Sequence, residues 1–390
     1  MRETGLHAAL VIGTTLLSLA AGEVSLRLGA GYMVPVSSEA AEAMASEFDQ
    51  DLPGLAPHIR YDRNRFGLRA LSMQSLEKPA ATLRILCLGA STTDQATQST
   101  PDTWCAQLES TLRPALATRG LAVETAAYGR GGSRTADVDR WARAHLASFS
   151  PDLVITLLGI NDLAFSGAPG SFGAELAGDQ DDRSWVNRAG DACARWSYLC
   201  RQSVTARDAV AVWWRLRTGR ALEWHSRHLP ELRARRQTYL AMVERPGGPD
   251  ALDRFSDSLG HLLDFLRQSS VTTLVLGQPV LWKAEMLDAE SKSLWFPILT
   301  EEGPVRADGR WLEAEMTRFN RVQRALATSF GAAFLDLDAR IPKTLESYFD
   351  DCHFTDEGSR RVAREVAPEV LALLTRVSRA QAPGAARSPR

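Results

Sequence analysis

The stretch that decides the fold reads Arg84-Ile85-Leu86-Cys87-Leu88-Gly89-Ala90-Ser91-Thr92-Thr93-Asp94. From Ile85 to Gly89, with Leu83 just ahead, the apolar residues form an unbroken run and do not alternate with polar ones. That is the pattern of a strand covered on both faces, as in the middle of a parallel sheet flanked by helices. The run stops at Gly89, and Ser91 stands at its tip. Thr100-Pro101-Asp102 then opens a segment with helical spacing (Trp104, Leu108, Leu112), capped by Thr100 or Asp102. Open α/β sheets bind their ligands at the carboxyl ends of strands, so Ser91 is placed where a nucleophile belongs. A serine at such a position also has an ordinary role, capping the helix that follows.

Further runs of the same kind follow. Asp152 to Leu158 is a second buried-strand pattern, ending in Gly159-Ile160-Asn161-Asp162. Leu121 to Ala127 is a strand candidate that leads into the glycine-rich turn Tyr128-Gly129-Arg130-Gly131-Gly132-Ser133. Thr135 to Ser148 has helical spacing (Val138, Trp141, Ala142, Leu146) and is stopped by Ser150-Pro151. An amphipathic helix over Ala251–Gln268, a strand over Val271–Gly277, a helix over Leu312–Phe330 and a strand over Ala333–Leu337 complete the series. The repeated alternation predicts a parallel sheet with helices on both faces.

Near the end stands Phe349-Asp350-Asp351-Cys352-His353-Phe354-Thr355-Asp356-Glu357-Gly358. With the serine, glycine and asparagine segments it makes an ordered set that resembles the four sequence blocks of the SGNH, or GDSL-like, hydrolases. The resemblance runs from about Leu83 to about Leu374. It implies a flavodoxin-like three-layer α/β/α sandwich with a parallel sheet, here carrying a helical insertion. It also implies a serine esterase working through an acyl-enzyme, with no cofactor and no metal. A serine hydroxyl needs a base to take its proton, and His353 is the residue implied. Asp350, three residues earlier, would hold the imidazole in the right tautomer and stabilise the imidazolium. Asp351 reads as a solvated or capping neighbour. Three donors are implied for the oxyanion: the backbone N–H of Ser91, that of Gly132 (Gly131 if the register shifts by one) and the side-chain amide of Asn161. Asn161 has an ordinary reading as well, a turn-former after a strand. Two positions depart from the family pattern: Ala90 replaces the usual Asp before the nucleophile, and Ala127 replaces the Asn that leads the glycine block.

The rest of the chain is less decided. Its 390 residues suffice for one large α/β domain with insertions or for two domains. A net charge of -2 gives no reason to expect nucleic acid. Leu6 to Ala21 is apolar and uncharged, short of the roughly 17–25 residues that span a bilayer. Extended to Gly31 it is long enough but includes Glu23 and Arg27. A signal-anchor, a cleaved signal (Ser18-Leu19-Ala20 offers a site) and a buried helix are the readings; the first two put the body of the chain outside the cytoplasm, membrane-anchored or secreted. Residues 32–82 read as an extension to a domain over 83–376. Within the extension, Tyr61 to Arg69 resembles the segment before the serine block in membrane-tethered relatives. It either packs its aromatics beneath the first strand or lies on the surface as a linker.

An insertion over about 164–249 interleaves tryptophans and leucines (Trp213, Trp214, Leu216, Trp224) with arginines that include Arg233, Arg235 and Arg236. It reads as a lid or basic surface for an anionic polymer or lipid headgroups, or as a solvated helix pair packed by its tryptophans. His225 and His228 are one helical turn apart, but no carboxylate accompanies them as a metal ligand. Cys87 reads as a small core residue, and Cys193 and Cys200 either pair or stay free. Residues 377–390 read as a disordered tail.

Three functions fit these residues. The first is an extracytoplasmic esterase acting on an acylated small molecule, carbohydrate or lipid. The second is an O-acyltransferase with the same site. The third is a glycan-binding protein on an esterase scaffold.

Overall fold

In the computed structural model, which describes residues 44–164, 223–242, 251–300 and 303–381, the run around Cys87 is a strand whose residues Leu83 to Leu88 are all buried. The apolar N-terminal run, residues 165–222 of the insertion with Cys193 and Cys200, the side chains of Trp224 and His225, and residues 382–390 lie outside that description.

The chain order begins with an antiparallel hairpin, β1 (Met44–Asp49) and β2 (His58–Arg63), then β3 (Arg69–Ala70) and β4 (Thr82–Gly89). One turn of helix, α1 (Ser91–Asp94), leads on to α2 (Trp104–Ala117), β5 (Ala122–Gly129), α3 (Thr135–Phe149), β6 (Leu153–Leu157) and α4 (Ile160–Ala164). The described part of the insertion supplies α5 (Glu223–Thr238) and β7 (Leu240–Ala241), and α6 (Ala251–Gln268) and β8 (Thr272–Leu276) follow. The last third holds α7 (Asp288–Ser293), β9 (Ile298–Thr300), β10 (Gly303–Arg306), α8 (Gly309–Ser329), β11 (Ala333–Leu335) and α9 (Asp356–Gln381).

Six strands form the central sheet in the order β11-β8-β6-β4-β5-β3, all parallel except the edge strand β3. Counting only the parallel strands along the chain, the spatial order is 2-1-3-4-5, the flavodoxin-like winding. Helices α2 and α9 pack on each other in one layer, and α3, α6 and α8 in the other. Right-handed crossovers dictate that division, because β5 lies on one side of β4 and the later strands on the other. The order therefore reverses at β4, and the crevice at its carboxyl end is where such sheets hold ligands. Gly89 of β4 is level with Gly129 of β5 and with Leu157 of β6, so three loops leave the sheet from one line.

Two expectations change here. The sheet begins before residue 83: β3 lies within the supposed extension and pairs with β5. Tyr61 to Arg69 is not a surface linker, since Tyr61 and Arg69 are almost wholly buried. Cys87 is buried as expected, but it is not a lone core thiol, for it is joined to Cys105 of α2. A small second sheet, β7-β10-β9, has no counterpart in the sequence reading and sits beside α5. Among the described residues no helix is long and apolar enough to cross a membrane.

Candidate active site

Ser91 opens α1, a four-residue helix that folds back tightly over the strand ends. The amides of Thr93 and Asp94 return to the Ala90 carbonyl at 3.1 and 2.9 Å, and Gln95 closes the turn with a left-handed φ of 49°. Gly129 is what lets α1 come so close. A Cβ there would stand 2.4 Å from the Asp94 amide nitrogen and 2.6 Å from the Ala90 carbonyl oxygen.

The loop after β11 brings the second part of the site. His353 Nε2 is 2.9 Å from Ser91 Oγ, across 262 positions of sequence. On the other side of the ring, Nδ1 is 2.8 Å from Asp350 Oδ2. The Asp350 side chain is wholly buried, and its Oδ1 accepts the amides of Cys352 and His353 at 3.0 and 2.8 Å. Oδ2 accepts a further bond, from the indole Nε1 of Trp295 at 2.8 Å. Burial works to lower the His353 pKa, but the charge and hydrogen bond of Asp350, with the charge of Asp351, outweigh it. The imidazole therefore titrates above its usual 6.5.

Asp351 corrects the sequence reading. It is not solvated but fully buried, and it accepts Trp282 Nε1 at 2.8 Å and the amides of Trp295 and Phe296 at 2.8 and 3.1 Å. Burial and the neighbouring Asp350 push its pKa up, with Arg236 opposing them. Asp350, Cys352 and His353 offer ligand atoms within 4.8 Å of one another. Metal-ligand chemistry is nonetheless a poor match here. Asp350 already accepts four hydrogen bonds, and burial beside two carboxylates pushes the Cys352 thiol well above its usual pKa.

The third part comes from β5 and β6. Gly132 sits in the turn after β5 with φ +75°, a left-handed backbone that favours glycine. Asn161, in α4 and nearly buried, donates one amide hydrogen to Ser133 O at 2.8 Å, which leaves its second hydrogen for another acceptor. Asp162 accepts both the amide and the hydroxyl of Thr135, at 3.2 and 2.9 Å, and so pins the start of α3. Burial raises its pKa to about 6. Ser91, His353 and Asp350 are thus in direct hydrogen-bonded sequence. Gly132 and Asn161 are joined to one another through Ser133 and leave the same sheet edge as Ser91.

The sequence reading names Tyr61 to Arg69, Arg233 and Arg236 without the contacts they make here, and it does not single out Asp94. Asp94, the last residue of α1, accepts Arg63 Nη2 at 2.7 Å and the Tyr61 hydroxyl at 3.1 Å. Arg63 also reaches Gly129 O at 2.8 Å, tying the serine turn to the end of β5. Arg69 donates to the carbonyls of Asp94, Gln95 and Gln98 at 2.5, 2.7 and 2.7 Å. This brace grips the turn from beyond Ser91, where the family pattern would have an acid at the position of Ala90. In α5, Arg233 and Arg236 are not part of an exposed basic surface. Arg233 donates to Ser293 O and Phe349 O at 3.0 and 2.8 Å, and Arg236 to Phe296 O and Ala307 O at 3.4 and 2.7 Å. Only Arg235 of the three pairs outward, with Glu231 at 2.9 Å. No short-range sequence signal marks any of these residues, because their partners are tens of positions away.

Comparison with known proteins follows the same lines. The model of the GDSL-like Lipase/Acylhydrolase family matches residues 87–361, well over half of the chain. No curated protein matches. Among solved structures, the acetyl xylan esterase AlAXEase is 14% identical over 74% of this chain and 100% of its own, with a TM-score of 0.41. The acetylxylan esterase Axe2 of Geobacillus stearothermophilus is 15% identical over 74% and 94%, with a TM-score of 0.40. TesA is 14% identical over 74% and 99%, with a TM-score of 0.39. The family match runs from the strand that carries Ser91 through the loop that carries His353, and on that ground the chain belongs to the GDSL-like lipase/acylhydrolase family and is a hydrolase of ester bonds.

Proposed function

We propose that this hydrolase removes a short O-acyl group, acetyl first among the candidates, from a carbohydrate or lipid hydroxyl through an acyl-enzyme on Ser91. The observation that supports this reading is the continuous hydrogen-bonded chain from Ser91 Oγ through His353 to Asp350. Ser91 Oγ attacks the ester carbonyl while its proton passes to His353 Nε2. The oxyanion that forms is met by the backbone N–H groups of Ser91 and Gly132 and by the second amide hydrogen of Asn161. Collapse breaks the ester C–O bond, and the imidazolium gives its proton to the departing alkoxide. Water, deprotonated by the same His353, then releases the carboxylic acid and restores Ser91. Ser91 is partly exposed, so its hydroxyl is open to an ester carbonyl.

The test is labelling of the full chain by a fluorophosphonate, followed by a series of p-nitrophenyl esters. Wild type is expected to label and to prefer acetate over octanoate, and Ser91→Ala to lose all labelling. Absence of labelling on folded wild type would remove Ser91 as nucleophile, and a preference for octanoate would remove the short acyl group. A pH profile gives a second check. Only neutral His353 can take the serine proton, so kcat/KM for p-nitrophenyl acetate is expected to fall on acidification with a midpoint above 6.5. A midpoint below the usual histidine value would mean that Asp350 does not govern the base.

We also propose that the domain lies outside the cytoplasm, held at a membrane by its N-terminal segment. The uncharged run Leu6–Ala21 supports this, as does the Cys87–Cys105 pair, which an oxidising compartment would keep joined.

A further inference from the structure

A carboxylate has about four lone-pair sites, and all four on Asp350 are occupied. Two are taken by amides of its own loop, one by His353 Nδ1, and the last by Trp295, which comes from the segment between α7 and β9. Trp295 is 3% exposed, and both of its N–H groups serve successive aspartates: the amide goes to Asp351 and the indole to Asp350. Its ring lies nearly parallel to the imidazole, 7° between planes with centroids 6.5 Å apart, while Phe349 stands 5.7 Å from His353 at 17°. A phenylalanine at 295 would fill most of that space; it would not donate. The indole nitrogen is therefore the feature of this side chain that packing leaves unexplained.

We propose that Trp295 is a positioning residue for the hydrolytic reaction: its indole N–H shares Asp350 Oδ2 with His353 Nδ1, fixing the carboxylate's rotation and limiting the negative charge the imidazole receives. The physics is competition between donors. Two N–H groups on one carboxylate oxygen divide its charge, and removing one strengthens the bond to the other. Among the described residues, the charged and titratable groups around His353 are few. On its own loop are Asp350, Asp351 and the Cys352 thiol, and Ser91 faces it from α1. From α5, Arg236 acts on Asp351 and Arg233 holds the Phe349 carbonyl. Trp295 is a neutral side-chain donor on the oxygen that meets His353 Nδ1, so it adjusts the Asp350–His353 pair without adding a charge. The role in turnover rests on the reading of His353 as the base.

The experiment is Trp295→Phe in the full chain, with the His353 ring followed by NMR after ε1-¹³C-histidine labelling and assigned by its loss in His353→Gln. The His353 midpoint is expected to rise by about half a pH unit, which corresponds to loss of one shared hydrogen bond. The acid limb of kcat/KM for p-nitrophenyl acetate moves with it, and plateau kcat falls several-fold. A lower melting temperature with an unmoved His353 midpoint would mean that Trp295 only packs, and would overturn the proposal. The NMR midpoint needs no turnover, so its shift in a protein that hydrolyses no ester would remove the proposed function while leaving the Trp295–Asp350 coupling standing. Should the variant not fold, the wild-type indole proton is read instead. It is expected to exchange slowly and to move with the His353 titration; a signal indifferent to that titration overturns the proposal.

Discussion

His353→Ala is expected to lower kcat for p-nitrophenyl acetate by about 10⁴-fold or more, and adding Ser91→Ala to change the remainder little. The two side chains are expected to act as one unit. With Ser91 Oγ 2.9 Å from Nε2, the hydroxyl has an acceptor for its proton; without it, the hydroxyl is a weak nucleophile in water. Once either partner is gone, what remains is the acceleration due to binding and the proposed oxyanion donors, which neither mutation removes. Asp350→Asn is expected to retain the site's shape yet fall by a similar order, because an amide at that position can present its N–H to Nδ1 and favour the wrong tautomer. Circular dichroism and a thermal melt separate these outcomes from misfolding. His353→Ala retaining more than a few per cent of wild-type kcat would mean that another group accepts the serine proton. Near-additive losses in the double variant would mean that Ser91 and His353 serve different steps.

Ser91, Gly132 and Asn161 were legible in the sequence for one physical reason, whereas Asp350 and His353, far beyond the end of β11, were legible only through the resemblance of their block to the family's. Central parallel strands are buried on both faces, so they appear as continuous apolar runs, and the chemistry-bearing residues follow each run within a few positions. Ser91 follows Gly89, Gly132 follows Gly129, and Asn161 follows Leu157 in this way. Local order along the chain thus predicts neighbourhood at the sheet edge. The supporting residues obey no such rule. Arg63 meets Asp94 across 31 positions, Trp295 meets Asp350 across 55, and Arg233 meets Phe349 across 116. Such bonds leave no periodic pattern, and an arginine destined for buried carbonyls looks the same in sequence as one destined for solvent. Arg233 and Arg236 were read as surface charge for that reason. Asp351, beside the acid that the resemblance implies, reads as a solvated or capping neighbour, and two adjacent carboxylates repel one another. Here two indole and backbone donor sets and a nearby guanidinium offset the repulsion.

The largest expected effect on stability comes from Arg69→Met, a loss of about 3–5 kcal/mol in urea unfolding. Arg69 is 2% exposed and stands over the Tyr61 ring at 4.6 Å. Methionine has nearly the length of the arginine stem but no donors. The carbonyls of Asp94, Gln95 and Gln98 and the Thr100 hydroxyl would lose their partner in a space water does not readily reach. Each orphaned acceptor costs about 1–3 kcal/mol before the loop relaxes, and relaxation recovers part of that. The loop in question contains Gln95 in its left-handed conformation, which is unfavourable for a residue with a side chain. The Gln95 side chain offsets some of this by accepting Trp104 N at 2.7 Å and donating to Ser359 Oγ at 2.6 Å, but its carbonyl depends on Arg69. The functional consequence follows from position. Ser91 is the first residue of the turn whose last residue is Asp94, so a turn that opens moves the hydroxyl away from His353. A chain begun at Glu77 tests the same point more severely, since it lacks β1 to β3 with Tyr61, Arg63 and Arg69. It is expected to show no fluorophosphonate labelling and a markedly lower melting temperature than the full chain. Labelling at the wild-type rate from the shortened chain would show that the serine turn holds itself, and that the hairpin, β3 and the arginines Arg63 and Arg69 are dispensable to the site.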